Sequence, residues 1–133
     1  MRIIHPIAGI LLGLIFGVRG LNGFLGFLWF LKAPPMTGPA GEFQTAITVS
    51  HFIWFTSGVQ VIADFLLLIN RYVVFAVFVL AAVLANILAY HITMMPSTVI
   101  LAILTVAIWF VVAWPLRAYF SPLFVDKVTL PSR

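Results

Sequence analysis

An all-α transmembrane fold, an up-down four-helix bundle, is what this 133-residue sequence predicts. Three observations carry that expectation. Four apolar runs, over residues 6–30, 52–68, 73–94 and 99–114, fill most of the chain. Each is near or above the roughly 17–25 residues needed to cross a hydrocarbon core. A hydrophobic fraction of 64%, with only 8% charged residues and a mean hydropathy of +1.22, is more apolar surface than a soluble domain of this size could bury. The runs also lack the in-out alternation of barrel strands, so backbone amides without water must be satisfied within helices.

The first run ends at the Pro34, Pro35, Gly38 and Pro39 cluster, residues that cannot continue a helix. It is too long for a signal peptide, contains Arg19 and has no A-x-A cleavage pattern, and so is expected to be retained as the first span. Within the loop at 32–46, Ala40, Phe43 and Ile47 recur at helical spacing opposite Glu42 and Gln44. That pattern predicts a short amphipathic segment in the headgroup region of the first extracytoplasmic loop. The connections Asn70-Arg71-Tyr72 and Met95-Pro96-Ser97 are so short that the helices they join must be antiparallel neighbours. The expected domain is residues 1–120, with spans at about 5–31, 50–69, 72–94 and 97–118. Residues 121–133, with Pro122 and Pro131, are expected to form an extended cytoplasmic tail.

Orientation follows from the positive-inside bias. Arg2, Arg71, Arg117, Lys127 and Arg133 fall on one side and only Lys32 on the other, which places both termini in the cytoplasm. Trp29 and Trp54 would then mark the outer interface, with Tyr72, Trp114 and Tyr119 at the inner one. The net charge of +4 does not point to nucleic acid, because the basic residues stand singly at segment ends rather than in a stripe. The lipid bilayer is the expected partner. Zero cysteines exclude thiolate chemistry, Cys-ligated zinc and protein-ligated iron–sulfur clusters. No phosphate loop, nucleophile elbow, H-E-x-x-H or dinucleotide fingerprint is present.

The polar residues inside the runs are the candidate site. Gly9, Gly13, Gly17, Gly20 and Gly23 fall within an arc of about 120° on the first helix, a smooth face for close helix packing. Arg19 and Asn22 flank that face. An arginine in mid-span is expected to turn inward toward an acceptor, as a structural tie between helices or as an anchor for an anion or a quinone carbonyl. On the second helix Thr56, Gln60 and Asp64 repeat every four residues along one inward stripe. Counted from the cytoplasmic ends, Asp64 is about 8 Å deep, Arg19 about 20 Å and Asn86 about 21 Å. Gln60 and Asn86 are therefore the expected neighbours of Arg19, with Asp64 a stabilising contact or a proton relay. His51 and His91 lie near the extracytoplasmic ends of adjacent helices, a placement compatible with bis-histidine haem ligation. Nothing else specifies haem, which is the disfavoured reading, and no intrinsic cofactor or metal is expected.

The chain resembles the DoxX family of small four-helix bacterial membrane proteins. The resemblance covers about residues 9–124. It rests on Gly13-Leu14-Ile15-Phe16, Gly20-Leu21-Asn22, the Pro34-Pro35 loop, Gly58-Val59-Gln60 and Leu66-Leu67-Leu68 running into Asn70-Arg71, Asn86 with His91, and Trp114 with Arg117. Family members commonly carry a glutamate and a glycine where this chain has Gln60 and Asp64, so its acid stands one turn further on. What the resemblance implies is a bacterial inner-membrane subunit associated with oxidoreductases, thiosulfate:quinone oxidoreductase among them. The expected function is thus an accessory or quinone-adjacent subunit of a membrane redox or energy-converting complex, without a redox centre of its own. Its polar pocket would hold a quinone headgroup or a lipid, and other membrane-protein subunits would be its partners. An autonomous quinone-linked oxidoreductase subunit and a small proton or solute conductor are the alternatives.

Overall fold

The computed structural model of the chain describes residues 4–26 and 36–127, which are helical nearly throughout and contain no strand. Helix α1 spans Ile4–Leu25, α2 Gly38–Val49, α3 Phe52–Leu68, α4 Val73–Thr93 and α5 Val99–Ala113. A 3₁₀ turn at Pro96–Thr98 leads into α5. Beyond it the chain stays helical through a second 3₁₀ turn at Trp114–Leu116, the single turn α6 at Arg117–Phe120 and a last 3₁₀ turn at Ser121–Phe124. The tail expected to be extended from Ser121 therefore begins one turn later. Trp29, Lys32, Pro34 and Pro35, and the terminal Arg2 and Arg133, lie outside the described residues.

Three helical stretches, Ile7–Leu25, Val73–Thr93 and Pro96–Phe124, are long and apolar enough to cross a membrane. A fourth is reached when α2 and α3, bent by 84° at their junction, are counted together. Local chemistry explains the breaks. Gly38, at φ +65°, lets the chain turn into α2, and Pro39 occupies its first turn, where a missing N–H costs nothing. The hydroxyls of Thr45 and Thr48 donate to the carbonyls of Gly41 and Gln44, so α2 leaves neither side chain unsatisfied. His51 at φ +58° ends α2 and turns the chain into α3.

The α3–α4 connection is a Schellman motif with asparagine in the left-handed position. Asn70, at φ +54°, donates its N–H to the Leu67 carbonyl at 3.1 Å, and the Arg71 N–H reaches the Leu66 carbonyl at 2.9 Å. Tyr72, also left-handed, then starts α4.

Helix α1 packs on α3, α3 on α4, α4 on α5 and α5 back on α1. Leu12, Phe16, Ala76, Val77, Leu80 and Val112 are wholly enclosed by this packing. Outward faces carry half-exposed Ile62, Phe65, Phe75, Phe78, Ile100, Leu104 and Phe110. So much exposed aliphatic and aromatic surface on every long helix is what lipid, not water, solvates. Helix α2 packs on α3 and leans toward α4, where the Phe43 and Tyr90 rings lie 5.5 Å apart. Ala40 is buried and Glu42 exposed, but Phe43 is exposed and Gln44 half-buried, so the two faces expected of this segment are only partly separated.

Candidate intramembrane polar site

The glycine face of α1 sets the geometry of the site. A methyl group added at Gly13 would lie 2.8 Å from Leu68 Cδ2, and one at Gly17 would lie 3.2 Å from Asp64 Oδ2. At Gly20 the distances would be 2.8 Å to Val61 Cγ2 and 3.2 Å to the Ser57 carbonyl oxygen, and at Gly23 the methyl would collide with the Ser57 side chain. Four of the five glycines thus seat α3 against the bare α1 backbone, Gly20 alone reaching a backbone atom of α3, and their order fixes the two helices as antiparallel. Gly9 differs: nothing lies within 4 Å of its would-be methyl, because α3 ends at the level of Gly13.

Asp64 is 2% exposed and sits against Gly17. Among the described residues neither of its carboxyl oxygens has a hydrogen-bond partner. Ser57, two turns earlier on the same face, is also buried. The stripe foreseen as Thr56, Gln60 and Asp64 is therefore rotated: Ser57 and Asp64 form its buried line, Gln60 is half-buried beside Gly20, and Thr56 donates to the Ile53 carbonyl at 3.0 Å. Ser57 was missed by sequence reasoning; its small size seven residues before the acid was the available signal.

Arg19 does not turn inward. Its side chain is exposed, and among the described residues its guanidinium makes no hydrogen bond or ion pair. Arg19 is about 200° around the helix from Gly17, on the line of the buried Ala8, Leu12 and Phe16, and burial along that line ends before it is reached. The expected depth mismatch with Asp64 is also corrected. Gly17 lies level with Asp64, so Arg19 is only about 3 Å further along. The first turns of α1 overhang the end of α3, beyond which α1 still packs on α5, so the two helices do not start from a common plane. Arg19 and Asp64 end up close in depth with the body of α1 between them.

The remaining expected residues do not join a common cluster among the described contacts. Asn86 is exposed and its amide donates to the Ala82 carbonyl of its own helix at 3.0 Å, so the expected Arg19–Asn86 contact is absent. Asn22 is half-buried on α1. His91 is buried, with Nδ1 2.8 Å from the Thr98 hydroxyl. The same hydroxyl also lies 3.2 Å from the Met95 carbonyl oxygen. His51 is exposed at the α2–α3 elbow, its ring 4.7 Å from that of Trp54. The two histidines thus serve separate elements. Among the described residues no group of three or more His, Cys, Asp or Glu side chains could hold a metal ion. An open recess lies along α2, lined by Met36, Glu42, Thr45 and Val49, apart from the polar stripe.

These features define an all-helical protein with the length and apolarity of an integral membrane protein. No family model, curated protein or solved structure matches the chain.

Proposed function

We propose that the chain is a DoxX-like accessory subunit of a bacterial inner-membrane redox or energy-converting complex. In this reading it is an up-down four-helix bundle with both termini cytoplasmic and α2 lying in the outer headgroup layer. The cyclic packing of α1, α3, α4 and α5 and the excess of Arg and Lys on one side of the sequence support that arrangement. One observation carries the accessory role: Arg19 is exposed on a helix whose other outward residues are apolar. Intramembrane charges face a bundle interior, a wet cavity or a partner, and among the described residues none supplies the acceptor, which supports a partner outside the chain. A quinone bound beside Arg19 would accordingly sit at the lateral surface, between this subunit and its neighbour, rather than within the bundle.

The test is purification from native membranes in mild detergent, with identification of co-purifying proteins, pigments and quinones. A stoichiometric membrane partner is expected. A chain that purifies alone and is fully active as an enzyme refutes the accessory role.

Asp64 favours a second reading, a small proton or solute conductor. Its buried, unpartnered carboxyl is the kind of group on which an intramembrane proton path is built. Flux into liposomes that persists unchanged in Asp64→Asn eliminates that reading.

A further inference from the structure

The depth of Arg19 and the face it occupies together specify what covers it. Ala8, Leu12 and Phe16 form a buried stripe on α1, and helical spacing carries that stripe on to Arg19. Burial along this line stops between Phe16 and Arg19. The adjacent Gly20 packs on Val61 and on the Ser57 carbonyl, near the middle of α3. By the helical rise, Arg19 therefore lies about 12 Å from either end of α3.

We infer that the Arg19 face of α1 is an interface for a transmembrane helix of another protein that carries a carboxylate at mid-membrane depth. The inference rests on the accessory-subunit reading and names the chemistry of the partner. A planar guanidinium offers paired N–H donors that a carboxylate accepts bidentately, neutralising the charge as well as filling the donors. A neutral carbonyl does only the second.

A second copy of the chain does not supply that acid. The sequence holds three acidic residues, Glu42, Asp64 and Asp126. Asp64 is enclosed behind Gly17, Glu42 is on α2, and Asp126 follows the last helical turn. Lipid phosphates lie outside a hydrocarbon core whose half-thickness is about 15 Å, so reaching one would require the side chain to snorkel across most of a leaflet.

The experiment uses the full chain, fluorescently labelled in phosphatidylcholine vesicles at mildly alkaline pH. The probe is a synthetic Leu/Ala transmembrane peptide with a single central Glu, compared with the same peptide carrying Gln. Energy transfer should report roughly tenfold or greater preference for the Glu peptide. Arg19→Leu should abolish the preference and Arg19→Lys should retain part of it, with helical content by circular dichroism equal in all three proteins. Equal association of the two peptides, or a preference that survives Arg19→Leu, overturns the inference. So does its loss on adding phosphatidylglycerol, which assigns the face to lipid phosphate, or Arg19-dependent self-association, which assigns it to a second copy. These failures are distinct from failure of the accessory reading, which shows instead as a chain that purifies alone and fully active.

Discussion

The α1–α3 and α4–α5 interfaces hold helices together by opposite means. Between α1 and α3, glycines remove side chains so that α3 rests on the bare α1 backbone, and the one acid enclosed there has no described partner. Between α4 and α5, larger side chains remain and specific hydrogen bonds cross the gap: the Trp109 indole N–H donates to the Val77 carbonyl at 2.9 Å, and His91 pairs with Thr98 at the base of α5. Where lipid already solvates apolar side chains, association depends on close van der Waals contact or on polar ties, and this protein uses each in a different place.

The contrast is broken most directly at the tightest glycines. Gly23→Ala and Gly20→Ala should each destabilise the protein by about 2–3 kcal/mol, because Ser57 and its backbone carbonyl leave no room for a methyl group. Unfolding in mixed detergent micelles measures this, and a cost near zero would mean that α1 and α3 are not in backbone contact. Asp64→Val should act in the opposite direction. Removing a buried, unpartnered carboxyl for an apolar group of similar size should stabilise the same transition by about 1–2 kcal/mol. Destabilisation would instead reveal that the acid is tied to a water, ion or partner in the membrane. At the other interface Trp109→Phe keeps most of the ring and loses one hydrogen bond, an expected cost of about 1 kcal/mol in the same assay. Gly9→Ala should have the smallest effect. With open space around it, the substitution should be neutral or stabilise helix α1 by up to about 1 kcal/mol, read as a small rise in melting temperature.

Much of this was legible in residue type and spacing. The arc of glycines identified a packing face on α1, and Asn70-Arg71-Tyr72 read as a tight turn that the left-handed Asn70 and Tyr72 provide. Register was not legible. Nothing in the sequence states that α3 ends opposite Gly13, and that fact alone leaves Gly9 free and brings Asp64 level with Gly17. The direction of Arg19 was misread for a related reason. The general cost of a charge in lipid argues for turning inward, but it acts on the assembled state and does not require the acceptor to belong to the same chain. Asn86 escaped the expected cluster because an asparagine amide can satisfy itself on the carbonyl one turn back.

The unequal lengths of the helices bear on the bilayer itself. At 1.5 Å per residue, the 17 residues of α3 reach about 25 Å, while the stretch Pro96–Phe124 approaches 43 Å. Hydrophobic mismatch on the short side draws the surrounding acyl chains inward, and on the long side it is relieved by tilt. In the four-span arrangement proposed above, the lipid annulus is expected to be thinner beside α3 than beside the Pro96–Phe124 stretch, an asymmetry that would steer which neighbours and which membrane thickness the protein favours.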